Sequence, residues 1–132
     1  MRSPSLSPSG QWIAYYVTFA ADVDQNGLWL VRSDGSERQA VPDDLFGAYQ
    51  WRSCPPGGEC PPESLIVVPF NPDAEFHELW EFDPAAGQPK RLTDPMSTLF
   101  KIANGVWRVS PDGRYVAFVE SEDRNIWVLM LP

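Results

Sequence analysis

Hydrophobic and polar positions alternate along this chain in short runs, and the runs recur. Ser7-Pro-Ser-Gly-Gln-Trp-Ile-Ala-Tyr-Tyr-Val17, followed by Gly27-Leu-Trp-Leu-Val31, is matched in the last quarter by Ser110-Pro-Asp-Gly-Arg-Tyr-Val-Ala-Phe-Val119, followed by Asn125-Ile-Trp-Val-Leu129. Each copy reads as a tight turn, a strand alternating aromatic and β-branched residues, a polar break, and a second strand with Trp at its centre. Recurrence of this kind marks a repeat protein built from β-sheet units.

The two copies start 103 residues apart, too far for adjacent repeats of roughly 40–50 residues, so a third unit is predicted between them. Trp51-Arg-Ser-Cys-Pro-Pro-Gly57 supplies it, matching Trp107-Arg-Val-Ser-Pro-Asp-Gly113, with an insertion, Gly58-Glu-Cys-Pro-Pro-Glu-Ser64, delaying the next strand. The units span about 3–42, 46–94 and 100–132 of a single segment, 1–132. Predicted strands are Pro4–Leu6, Gln11–Val17, Gly27–Val31 and Glu37–Val41 in the first, and Ala48–Arg52, Ser64–Phe70, Glu78–Phe82 and Lys90–Thr93 in the second. The third has only Gly105–Val109, Tyr115–Glu120 and Asn125–Met130, without a fourth, outer strand. Turn sequences at Ser33-Asp-Gly-Ser36 and Asp83-Pro-Ala-Ala-Gly87 favour hairpins, hence antiparallel meanders over βαβ units. A single β-sandwich is the competing all-β arrangement.

Composition narrows the function classes. Of 132 residues, 43% are hydrophobic and 13% aromatic, with 14 Pro and 9 Gly, which suits short strands joined by tight turns and disfavours helix. Ten Lys and Arg against 18 Asp and Glu leave a net charge of -8, the wrong sign for nucleic acid or anionic lipid. Apolar runs such as Leu65-Ile-Val-Val-Pro-Phe70 fall far short of the roughly 20 residues of a membrane-spanning helix. Met1-Arg2 leads into Ser-Pro-rich sequence with no apolar signal region, so a targeting peptide is expected upstream in a longer parent or not at all.

The motif Ser110-Pro111-Asp112-Gly113-x-aromatic-Val-Ala-Phe, then Ile-Trp-Val, then Gly87-Gln-Pro-Lys-Arg-Leu-Thr93 in the second unit, resembles the WD40-like Pro-Asp β-propeller repeat. That repeat forms the TolB C-terminal domain and occurs in propellers of prolyl oligopeptidase-type peptidases and many bacterial surface proteins. In the first unit Ser9 replaces the Asp; in the second Cys54 and Pro56 occupy the Ser and Asp places. Pro fixes φ, Asp accepts backbone N–H groups and Gly takes the left-handed position, so the motif is structural. The resemblance implies a partial β-propeller of three antiparallel meander blades, the last lacking its outer strand. Rings of this family close with about four to eight blades, so the three here imply a fragment of a larger propeller or a half-ring that self-assembles.

Candidate chemistry is sparse. Cys54 and Cys60, the only cysteines, flank a Gly-containing inserted loop and suggest a stapling disulfide, with free thiols or a metal site as the competing readings. Asp22, Asp24 and Asn26 begin like a calcium loop, but Ser33 stands where the closing Glu belongs, and a polar hairpin loop is the favoured reading of the same residues. No other cofactor is expected. His77 is the sole histidine, and no Gly-x-Ser-x-Gly nucleophile turn accompanies it. Glu120, Glu122 and Asp123 read as a solvated loop cluster.

Trp29, Trp80 and Trp127 hold equivalent third-strand places and predict an aromatic layer between blades. Tyr115, Ala117 and Val119 are expected on one side of their strand and Val116 and Phe118 on the other. Trp51, Arg52, Trp107 and Arg108 lie on first strands, which line the channel of a propeller, and are the candidates for a ligand face, with core packing as the other reading.

The expected function is a non-catalytic binding or scaffolding module. Its expected partner is a protein, a peptide or a second copy through open blade edges, in an extracytoplasmic, periplasmic or secreted, compartment. The alternatives are part of the propeller of an extracytoplasmic hydrolase, whose parent frame would carry a nucleophile turn, and a designed or evolved partial propeller closing by oligomerisation.

Overall fold

A computed structural model describes residues 4–18 and 21–132. Residue 3, where the first unit is expected to begin, lies outside them, as does Met1-Arg2. The chain is all-β and forms three antiparallel meanders. The first sheet holds β1 (Ser5–Leu6), β2 (Trp12–Val17), β3 (Gly27–Arg32) and β4 (Gln39–Ala40), in that order. The second holds β5 (Gly47–Ser53), β6 (Glu63–Pro69), β7 (Trp80–Asp83) and β8 (Gln88–Arg91). The third holds β9 (Ile102–Val109), β10 (Tyr115–Glu120) and β11 (Ile126–Met130), with no fourth strand among the described residues.

β8 lies two residues earlier than expected, and three other departures from the expected strand limits have local causes. β4 is shorter than 37–41 because Glu37 takes φ 54 and turns the chain out of the extended region. β9 starts three residues before Gly105, and Asn104 and Gly105, at φ 53 and 68, build a bulge that lets Ile102 reach Glu120. β7 starts at Trp80 because the preceding Leu79 N–H goes to the Thr93 hydroxyl at 2.9 Å instead of a ladder partner.

The second sheet is covered on both faces. Because side chains alternate across a strand, Leu65 and Val67 of β6 join Trp12, Ala14, Leu28 and Leu30 of the first sheet in one core. Ile66 and Val68 join Phe100, Trp107, Val116 and Phe118 of the third unit in another. Tyr115 and Val119, in the same strand as Val116 and Phe118, face the opposite side. Fully burying one such aliphatic or aromatic side chain contributes about 1.5–3 kcal/mol, so the two junctions, not any single sheet, dominate stability.

Polar groups fix the junctions in register. The Glu63 carboxylate accepts from the Ser7 hydroxyl at 3.0 Å, the Ser9 N–H at 3.0 Å and the Ser9 hydroxyl at 2.6 Å, capping the first turn from the second sheet. At the other junction Gln50 donates to the Trp107 carbonyl and accepts from the Val109 N–H at 2.9 Å. Among the described residues no helix is long and apolar enough to cross a membrane.

Candidate binding surface

Of the four candidates for a ligand face, one is at the surface. Arg52 is 2% exposed. Its Nε donates to the Gly113 carbonyl at 2.8 Å, Nη1 to the Glu81 carboxylate at 2.8 Å and Nη2 to the Pro132 carbonyl at 3.0 Å. The Ser64 hydroxyl donates to the same Glu81 oxygen at 2.7 Å. All of this polarity is consumed inside the junction, so Arg52 is corrected from a ligand-face residue to an interior tie. Trp107 is buried in the second core, and half-buried Trp51 packs on the first core while its Nε1 donates to the Ser5 carbonyl at 3.2 Å. Arg108 alone is exposed.

The third-strand tryptophans differ in setting. Trp80 packs against the core between the first and second sheets. Trp127 keeps 38% exposure, 6.2 Å from the Phe118 ring. Trp29 lies on the face of the first sheet turned away from the second, under the Arg38 guanidinium at 4.1 Å, while Arg38 Nε also donates to the Tyr15 hydroxyl at 2.9 Å.

Cys54 and Cys60 are bonded, with Cα atoms 5.6 Å apart. The Cys54 N–H donates to the Pro62 carbonyl at 3.0 Å and closes the same loop from its backbone. Glu63 follows Cys60 by three residues, which places the staple close to the cap on the first turn. Ser110 and Asp112 build the third turn: the Ser110 hydroxyl donates to Asp112 at 2.6 Å, the Arg114 N–H also bonds Asp112, and the two hydrogen bonds hold its carboxyl below the ordinary range. Pro111 is exposed at the corner and Gly113 takes φ 75 behind it.

The loop of Asp22, Asp24 and Asn26 wraps a short 3-10 turn, Val23–Gln25, whose first N–H groups Asp22 caps by accepting from Asp24 at 3.0 Å. No group of three or more His, Cys, Asp or Glu able to hold a metal occurs among the described residues. His77 accepts the Ile102 N–H at Nδ1 (2.9 Å), and burial, then the Lys101 charge, push its pKa below the usual value. Half-buried and bonded to backbone, it holds the start of β9. Glu120 is buried and accepts the Glu122 N–H at 2.7 Å, while Asp123 accepts the Asn125 N–H at 2.8 Å, so these carboxylates shape their own loop.

A surface the sequence did not signal lies at the opposite end of the sheets from the Ser-Pro turns. Tyr16, Thr18, Phe46, Gly47, Ala48 and Phe70 line a groove of about 370 Å³. Phe70 is 74% exposed and Phe46 42%. The Phe70 N–H donates to the Phe46 carbonyl at 2.9 Å, and the Tyr16 ring stands edge-on to Phe46 at 5.4 Å. Gly47 permits this approach, since a Cβ there would lie 2.1 Å from the Val68 carbonyl oxygen.

Carboxylates surround the aromatic groove in sequence. Asp43 and Asp44 precede Phe46, Asp73 and Glu75 follow Phe70, all four are exposed, and none has an ion-pair partner among the described residues. Between Arg38 and Lys90 the chain has nine Asp and Glu and one Lys or Arg, the buried Arg52. Comparison with known proteins finds no matching family model, no matching curated protein and no matching solved structure.

Proposed function

We propose that the chain is a stack of WD40-like Pro-Asp propeller blades, working without catalysis of its own as a protein- or peptide-binding scaffold in an oxidising, extracytoplasmic compartment. The Cys54–Cys60 bond supports the compartment, since such bonds persist where thiols are not kept reduced. The single observation that carries the binding role is the exposed Phe46–Phe70 groove among unpaired carboxylates. Exposed aromatics grouped this way favour a partner's apolar side chain, and uncompensated negative charge favours lysine or arginine beside it. The partner is therefore a cationic segment with interspersed apolar residues.

The test is fluorescence anisotropy with a labelled decapeptide of alternating lysine and leucine. Binding that weakens at least fivefold in Phe70→Ser, and that a glutamate–leucine counterpart lacks, supports the reading. Equal affinity of Phe70→Ser and the parent overturns it, because charge alone would then account for the binding.

A further inference from the structure

The two internal junctions are built alike, and the molecule carries an unmatched half of the same junction at each end. The second sheet meets its predecessor with one face and its successor with the other. On the first sheet the predecessor-type face has no sheet against it. It carries Tyr15 opposite Trp29 and Ile13 opposite Val31, with Leu6, 62% exposed, beside Ile13. These are the places of Val67, Trp80, Leu65 and Phe82, which in the second sheet form the surface lying on the first. On the third sheet the successor-type face is open. Tyr115 pairs with Met130, Ala117 with Val128 and Val119 with Ile126, and Met130, Val128 and Ile126 are 76%, 59% and 75% exposed.

The polar fittings are particular to each junction. Where the second sheet meets the third, Arg52 holds the carbonyls of Gly113 and Pro132, and the turn is so close that a Cβ on Gly113 would sit 1.7 Å from the Ser53 carbonyl oxygen. Arg108 pairs with Ala117 as Gln50 pairs with Ile66, so it stands in the place of Gln50, exposed and without an ion-pair partner among the described residues; Val128, on the other side of Ala117, stands where Glu81 stands beside Ile66. The matching turn of the first sheet is vacant. A Cβ on Gly10 would meet no atom within 4 Å, and Asp34, exposed, occupies the place of Pro132. The place is fixed by equivalent bonds, Ser33 N–H to the Gln11 carbonyl and Leu131 N–H to the Arg114 carbonyl, at 2.9 and 2.7 Å.

We propose that the open face of the third sheet docks onto the open face of the first sheet of a second copy, head to tail, so that two chains close a ring of six sheets. Arg108 then faces the first strand of the second copy, as Gln50 faces Trp107 and Val109 of β9. The occupant is another copy because the two faces are successive halves of a junction this chain already makes twice within itself. The contact is heterologous, so closure into a ring is what limits it to a finite assembly. The inference rests on the stacked-blade reading above.

Light scattering on the eluting protein reads the mass directly. The expected result is twice the 14.9 kDa chain mass at tens of micromolar concentration. Leu6→Asp and Val128→Asp, both at exposed positions, each raise the dissociation constant at least tenfold, and an equimolar mixture of the two regains a dimer through its one intact junction. Arg108→Ala, which leaves the apolar faces whole, weakens the dimer with unchanged circular dichroism and so serves if Val128→Asp misfolds. A parent chain that stays monomeric overturns the proposal. So does a dimer lost in Val128→Asp but kept in Leu6→Asp, which would mean third sheet against third sheet. Anisotropy with the lysine–leucine peptide on the same samples separates loss of self-association from loss of groove recognition.

Discussion

The guanidinium of Arg52 donates to the main-chain carbonyl of Gly113 at 2.8 Å, tying the first strand of the second sheet to the turn of the third. The same side chain meets Glu81 in the interior, with side-chain exposures of 2% and 5%. Removing one member of a buried pair strands the other's charge, which costs about 3–5 kcal/mol. Arg52→Ala is therefore expected to lower the unfolding free energy in urea by that amount, and Arg52→Met combined with Glu81→Leu to recover most of it. An equal loss in both variants would show that the carbonyl contacts matter more than the stranded carboxylate.

The two Gly of the repeated turns separate backbone strain from close approach. Gly10 and Gly113 have φ of 78 and 75, so Ala at either costs about 1–2 kcal/mol for the left-handed conformation. At dilute concentration Gly10→Ala is expected to cost only that, its Cβ having open space. Gly113→Ala must also displace the Ser53 carbonyl, and its urea midpoint is expected to fall well below that of Gly10→Ala. Similar midpoints would contradict the difference in approach.

The Cys54–Cys60 bond closes a short loop, for which the chain-entropy argument gives about 2–3 kcal/mol. Replacing both cysteines with serine is expected to lower stability by that amount. Because Glu63 follows the loop, amide exchange at Ser9 should quicken too. Exchange confined to residues 54–62 would mean that the cap on the first turn is held independently of the staple.

His77 gives a pH dependence of definite sign. Its pKa is lowered in the folded protein by burial and then by Lys101, so the unfolded chain takes up the proton first as pH falls. Stability that is full above the unfolded value, about 6.5, is lost as pH drops toward the folded value and levels off below it. Melting curves from pH 7.5 to 5 are expected to show this slope, and His77→Gln, which retains an acceptor for Ile102, to flatten it. Asp34 and Asp112, both lowered chiefly by side-chain hydrogen bonds from Ser36 and Ser110, contribute in the acid range instead: stability present above the unfolded carboxyl value is lost as pH falls through the folded one. An unchanged slope in His77→Gln would assign it to other groups.

The meanders and the three-strand third unit were legible because alternation and turn chemistry are local. Ser-Pro-x-Gly sets a hairpin, and Tyr115 through Glu120 alternates visibly. What joins the sheets was not legible. From sequence, Arg52 is a candidate for a channel face or for core packing, because strand position tells which residues share a face, not what lies opposite that face. Glu81, Gly113 and Pro132 are 29, 61 and 80 residues away, and nothing local links them. Glu63 is hidden for the same reason, its Ser7 and Ser9 partners lying across a sheet boundary. The groove escaped because Phe46 and Phe70 are far apart in sequence, and the pairing of β5 with β6, Gly47 opposite Pro69, brings them side by side.

β6, from Leu65 to Val68 buried without interruption, lies between both cores, and this sets how the molecule comes apart. Sheets coupled only to their neighbours unfold as a chain of linked units. In the isolated chain the end sheets can each open by losing one junction, whereas the middle sheet opens only when both are gone. Amides of β6 should thus exchange only through global unfolding, and those of β3 and β10 through cheaper openings from either end.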